Sequence, residues 1–220
     1  MKVLAIGASS PQSLGYLIGQ HLEKVHGHVP HYMARTDVKK GRRMLGIRYF
    51  QGHAEDDVES IIHQVKPEII IYAAGVFTPA KSLDELVVTK EVKAHIVAKS
   101  IGVLATLAGA AKTTPVRKVI FLGGRRVSEE PGYAAYTGGN GFMWAMVQFA
   151  AKHEKRFTTH FVDMPPVLGS AMGDKYIADP ATADKTAGAV SVEDVIRVVE
   201  AIIAGGFPSG YRNVLGEGAV

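Results

Sequence analysis

The sequence predicts an α/β protein built on one doubly wound parallel sheet. Three observations predict it. Strand-like and helix-like segments alternate along the whole chain, the first and fourth strand segments are apolar throughout, and the first strand breaks into a Gly/Ser/Pro turn that opens a helix. Fully apolar strands belong to sheets covered on both faces, and strands alternating with helices build parallel βαβ units. With 220 residues and 47% hydrophobic content the chain can bury one sizeable core, so a single domain over residues 1–220 is expected.

The first unit runs from Val3 to Val25. Val3-Leu4-Ala5-Ile6 reads as a buried strand, and Leu14, Leu17, Ile18, His21, Leu22 and Val25 recur at helical spacing, which lays one stripe on the sheet. Between them Gly7 allows a sharp turn. The small Ala8, Ser9 and Ser10 leave room for a phosphate against free N–H groups at the helix start. Further strands are expected at His28 to Ala34 and Ile47 to Gln51, followed by a helix Val58 to Val65 whose start carries the carboxylate of Asp56 or Asp57. Glu68 to Gly75 is an apolar strand ending in small residues. A long helical zone follows from about Ser82 to Lys112, with Val92, Ile96, Val97, Ile101, Leu104 and Leu107 at core spacing. Next come a strand Lys118 to Leu122, a helical run Met143 to Lys152 and a strand Thr158 to Val162. Gly169 to Gly188 lacks a period and reads as a flexible substrate lid. A helix Val192 to Ala204, started by Ser191 and Glu193, and a last strand near Arg212 to Leu215 complete the domain.

Composition narrows the function classes. Cysteine is absent, so disulfides and thiolate chemistry are excluded. The chain opens directly on a strand with no charged lead and cleavage site, and no apolar run is expected to reach membrane-spanning length, which predicts a cytoplasmic protein with no membrane partner. The net charge of +4 is modest. One basic run, Lys39-Lys40-Gly41-Arg42-Arg43, has no interleaved aromatic residues and no recognition motif, so nucleic acid is not an expected partner. Among nine histidines, His21, His26, His28 and His31 cluster, yet no carboxylate stands at ligand spacing and no metal is expected.

Gly7-Ala8-Ser9-Ser10, with Ser13-Leu14-Gly15 opening the helix, resembles the glycine loop of the short-chain dehydrogenase/reductase family. The placement of Ser13 six residues after Gly7 is similar to its enoyl-reductase branch. Ala73-Ala74-Gly75 resembles the family's Asn-Ala-Gly, Lys99-Ser100-Ile101-Gly102 its Asn-x-x-Gly, and Tyr136 to Asn140 its Tyr-x-x-x-Lys. Pro165 to Met172 is similar to its Pro-Gly turn and Thr-x-Met. The resemblance implies a Rossmann fold and a nicotinamide cofactor. Gly7, Ser9, Ser10, Ser13 and Leu14 would surround the diphosphate, His53 and Ala54 the adenine, and Ala74 and Gly75 the sugar. Asn140 would hold a ribose hydroxyl, and Pro165, Val167 and Ser170 the nicotinamide carboxamide. At the end of the second strand, Arg35 and Thr36 favour NADP (NADPH) over NAD, because a basic residue there accommodates the 2′-phosphate; Asp37 stands beside them.

Three departures bear on chemistry. Lys99 occupies the family's catalytic asparagine position, Asn140 its lysine position, and Gly123-Gly124 its serine position. Tyr136 would give or take the proton. Because an ordinary phenol has a pKa of about 10, it needs a nearby cation, and Lys99 would supply one from the other helix. The serine's role would pass to Tyr133, to Thr137, or to the backbone N–H groups of Gly123 and Gly124. Gly138, Gly139 and Gly141 cost up to about 1 kcal/mol each inside a helix, which implies close approach of a cofactor or a neighbouring helix, or a helix that begins only near Asn140. The expected activity is hydride transfer between nicotinamide and a small carbonyl or alcohol substrate. The alternative is an NADP-binding regulatory or structural protein that does no redox chemistry. The resemblance also implies a homodimer or homotetramer through the two long helices, with Phe142, Met143, Trp144 and Met146 as apolar surface.

Overall fold

The computed structural model describes residues 1–75, 90–124, 134–178 and 188–215. Val3, Leu4, Ala5 and Ile6 are at most 1% exposed, so β1 (Lys2–Ile6) is covered on both faces. It therefore lies at the centre of a sheet, between β2 (Val29–Ala34) and β4 (Ile69–Tyr72), both parallel to it. β3 (Tyr49–Gln51), β5 (Lys118–Gly124), β6 (Thr158–Met164) and β9 (Arg212–Val214) complete seven parallel strands in the order β3-β2-β1-β4-β5-β6-β9. The winding reverses between β1 and β4. The short β7 (Val167–Leu168) and β8 (Val190–Ser191) form a separate two-stranded ribbon.

Side chains alternate across the sheet and each set has its own helical layer. Leu4, Ile6, Ile70, Tyr72 and Phe121 meet α3 (Val58–Val65), α4 (Lys90–Lys112) and α5 (Ala134–His153). Val3, Ile69, Ile71, Ile120 and Leu122 meet α1 (Leu14–His26) and α7 (Val192–Ile203). Each large apolar side chain buried in these layers contributes roughly 1.5–3 kcal/mol. A smaller cluster at the sheet edge joins Tyr32 and Tyr49 to Leu45 of α2 (Val38–Leu45).

Several expectations change. α5 starts at Ala134, not near Asn140, and tertiary packing explains one glycine in it: a Cβ on Gly139 would lie 2.9 Å from Lys99 Cβ, so α4 and α5 touch there. Gly138 and Gly141 meet nothing within 4 Å. The start of α7 is a reciprocal capping box in which Ser191 pairs with Asp194 rather than Glu193. Asp57 reaches back to accept the His53 N–H at 2.7 Å instead of capping α3. Within the expected lid, Ala171–Ile177 form helix α6, while 179–187 lie outside the described residues, as do 82–89 of the long helical zone.

Val92–Lys112 of α4, with mean hydropathy 1.5, is long and apolar enough to cross a membrane by length and composition, contrary to expectation. In this fold it packs against α3 and α5 as the middle helix of its layer. The apolar surface also differs from expectation. Met143 and Val147, one turn apart, face the sheet and are fully buried, and Trp144 lies 5.6 Å from Phe161. The exposed large apolar side chains of the two helices are Ile96, Ile101 and Leu104 on α4 and Phe149 on α5.

Candidate active site

Where parallel strands end, loops leave the sheet, and at a reversal of winding they leave in opposite directions and open a crevice. Two adjoining clefts occupy that place. One, about 200 Å³, runs over the end of β2 past Arg35, Thr36, Ala54 and Ala74. The other, about 170 Å³, runs over β4, β5 and β6 past Ser13, Leu14, Lys99, Tyr136, Pro165, Val167 and Ser170. Gly7, Ser9 and Gly75 line both, which makes them one trough.

The middle of the trough is shaped for an anion. Gly7 adopts φ +93°, and a Cβ there would lie 2.6 Å from Ala74 N, so only glycine lets the β1 loop cross the end of β4. Ser13 turns its hydroxyl back to Ser10 O at 2.6 Å, and Ser10 holds the loop without lining the trough. The first turn of α1 thus has no side-chain cap and no acidic residue, leaving its positive end to a ligand.

Three side chains expected to do chemistry converge in the second cleft or beside it. Lys99 descends from α4, is 3% exposed, and donates from Nζ to Leu122 O at 3.3 Å. Burial pulls its ammonium down to about 7. Tyr136 stands on α5 with its hydroxyl over Gly124. Burial pushes its phenol up, with the Asn140 amide opposing and Asp163 adding to the rise, so it remains a neutral hydrogen-bond donor. Asn140, one turn further along α5, donates from Nδ2 to Gly124 O at 3.2 Å, and its buried Oδ1 has no hydrogen-bond partner among the described residues.

A fourth residue escaped sequence reasoning. His95 is fully buried one helical turn before Lys99, and its ring stacks on Tyr136 with centroids 5.1 Å apart at 27°. The signal was present in the spacing of four between His95 and Lys99, which puts both on one helix face.

The serine position is closed by packing. A Cβ on Gly123 would lie 2.3 Å from the Phe161 ring, and one on Gly124 would lie 2.2 Å from the Tyr136 hydroxyl oxygen. Of the expected substitutes, Thr137 does not line either cleft, and Tyr133 lies outside the described residues.

The carboxylate of Asp37 accepts from Lys39 N and Lys40 N as the N-cap of α2, which removes it from competition with Arg35 at the β2 end. His53 is exposed, 3.5 Å from Glu55, and does not line the trough, whereas Ala54 does. The Ser170 hydroxyl donates to Val167 O at 2.8 Å and accepts from Gly173 N at 3.1 Å, so it is engaged in starting α6.

Fold and trough together define a Rossmann domain. Its architecture is shared by solved short-chain dehydrogenases: one from Burkholderia cenocepacia in complex with NADP has a TM-score of 0.82 and 18% identity, covering 99% of this chain and 96% of that one. A dehydrogenase/reductase from Sinorhizobium meliloti gives 0.80 and 14%, covering 99% and 95%. A short-chain dehydrogenase/reductase from Serratia marcescens gives 0.78 and 16%, covering 100% and 98%. At these identities the likeness is one of fold. No protein-family model matches the chain, and no curated protein matches it in sequence.

Proposed function

We propose that the protein is an NADP-dependent oxidoreductase of the short-chain dehydrogenase/reductase type, acting on a small carbonyl or alcohol substrate. The observation that carries this reading is the arrival of Lys99, Tyr136 and Asn140 from two helices at one end of a trough whose other end holds Arg35. The trough fits a dinucleotide: an uncapped helix start for the diphosphate, a buried Asn140 Oδ1 available to a ribose hydroxyl, and a β2 end where the only carboxylate of Arg35-Thr36-Asp37 is already engaged. The complex of the Burkholderia protein with NADP supports the same assignment.

When bound, the cofactor supplies or accepts hydride. The chain's own task is the proton. Tyr136, neutral and buried, donates from its hydroxyl to the carbonyl oxygen under reduction; Lys99 places a cation close to that oxygen in a dry cleft, where charge counts most. The same reading makes the working form a cytoplasmic homodimer or homotetramer, with the exposed Ile96, Ile101, Leu104 and Phe149 available for its contacts.

The test is direct. NADPH is expected to bind more tightly than NADH, and Arg35→Ala is expected to weaken NADPH about tenfold or more while leaving NADH unchanged, each read by quenching of Trp144 fluorescence. Tyr136→Phe is expected to lower carbonyl reduction by about 10²–10⁴-fold without altering NADPH affinity. If neither nucleotide binds, the assignment fails. NADPH binding without turnover over a broad carbonyl screen selects the redox-inert alternative, which the glycine at the serine position favours.

A further inference from the structure

The histidine cluster at the end of α1 acquires in three dimensions the carboxylate it lacks in sequence. α1 and α7 lie side by side on one face of the sheet, joined through Ile18, Leu22, Val195 and Val199. Both helices run back from the trough, so their carboxyl ends meet at the opposite end of the molecule. There Glu200 of α7 stands between two imidazoles of α1: its Oε1 is 2.8 Å from His21 Nε2 and 2.7 Å from His26 Nε2. The three ligand atoms lie within 4.8 Å of one another.

We propose that His21, His26 and Glu200 form a binding site for a divalent transition metal, zinc by preference, that clamps the carboxyl ends of α1 and α7. Two neutral imidazoles and one carboxylate suit zinc, and ligand atoms around a tetrahedral ion stand roughly 3.3 Å apart, given bonds of about 2.0–2.1 Å. The present spacing needs only a slight opening, with the metal replacing the protons now shared between the groups. All three side chains are partly exposed, at 32%, 42% and 29%, so the metal has a path in and water can complete its shell. Magnesium and calcium prefer all-oxygen sites and are excluded by the two imidazoles.

Tag-free protein stripped with EDTA and titrated calorimetrically should bind one zinc ion per chain with micromolar or tighter affinity, and no magnesium. Saturating zinc should raise the thermal midpoint by a few degrees, as expected for a ligand that binds only the folded state. His26→Ala and Glu200→Gln should each weaken zinc at least tenfold, while His63→Ala on α3 should leave it unchanged. Cobalt should give the visible absorption of a tetrahedral site in the wild type and lose it in His26→Ala, an exposed change at a helix end that leaves the core untouched. Absence of zinc binding up to millimolar concentration, or equal affinity in the wild type and these two variants, overturns the proposal. None of these readouts depends on NADP or on turnover.

Discussion

Lys99→Met is expected to give a more stable and far less active protein. A buried ammonium is costly to hold, and among the described residues Lys99 Nζ donates to Leu122 O at 3.3 Å. Its pKa falls from 10.5 in the open chain to about 7 in the fold. Between those pH values the unfolded chain binds the proton and the folded chain does not, so stability climbs as pH rises from about 7 to 10.5 and is lowest below about 7. Removing the charge should therefore stabilise most near pH 6–7, on the order of a few kcal/mol at 1.36 kcal/mol per pKa unit, less about 1 kcal/mol for the hydrogen bond to Leu122 O that is lost. The gain should vanish toward pH 10.5. Reduction should meanwhile drop by about 10²–10⁴-fold. In the wild type, kcat/KM for reduction should decline as pH rises through about 7, and that limb should be missing from the variant. Thermal midpoints at two pH values and one pH–rate profile check the whole set. A methionine variant with full activity would remove Lys99 from the chemistry.

Gly124→Ala should cost about 10²-fold or more in kcat/KM while sparing NADPH affinity. The new methyl would sit 2.2 Å from the Tyr136 hydroxyl oxygen, a distance no rotamer of a small methyl can relieve. Tyr136 must give way, but its ring is stacked on His95 and its helix is pressed against α4 at Gly139, so the phenol can only swing off its position. A displacement near 1 Å is enough for a loss of about that size, with overpacking costing roughly 1–3 kcal/mol of stability. Gly138→Ala on the same helix is the control. Nothing lies within 4 Å of its new methyl, so it should stabilise by up to about 1 kcal/mol and leave turnover intact. Equal activity of the two variants would show that the Tyr136 hydroxyl is not held over Gly124 during turnover.

The closure of the serine position carries a related consequence. A serine at Gly123 would not fit, because Phe161 of β6 already fills the space its Cβ would take. The space at Gly123 is thus closed by a bulky neighbour on the adjacent strand, 38 residues away in the chain.

Much of the architecture was legible in the residues. The apolar run Val3 to Ile6, the stripe from Leu14 to Leu22 and the turn at Gly7 state a buried strand, a packed helix and the crevice between them, because periodicity and turn chemistry are properties of near neighbours. The same local logic located the helix Val58–Val65 at its observed bounds, whereas Lys99, Tyr136 and Asn140 were grouped only by the resemblance of their motifs to a known family. What local pattern could not decide was which distant side chains meet. Asp37 looked like a rival to Arg35 until its carboxylate was found capping α2. His95 became part of the site only because α4 and α5 pack at Gly139, and Glu200 met His21 across 179 residues because winding lays α7 beside α1. The sequence by itself determined the alternation of strands and helices, the buried first strand and the turn at Gly7; the tertiary structure alone decided the order of the strands and the partners of each polar side chain, since those contacts are set by chain crossings that carry no local signature.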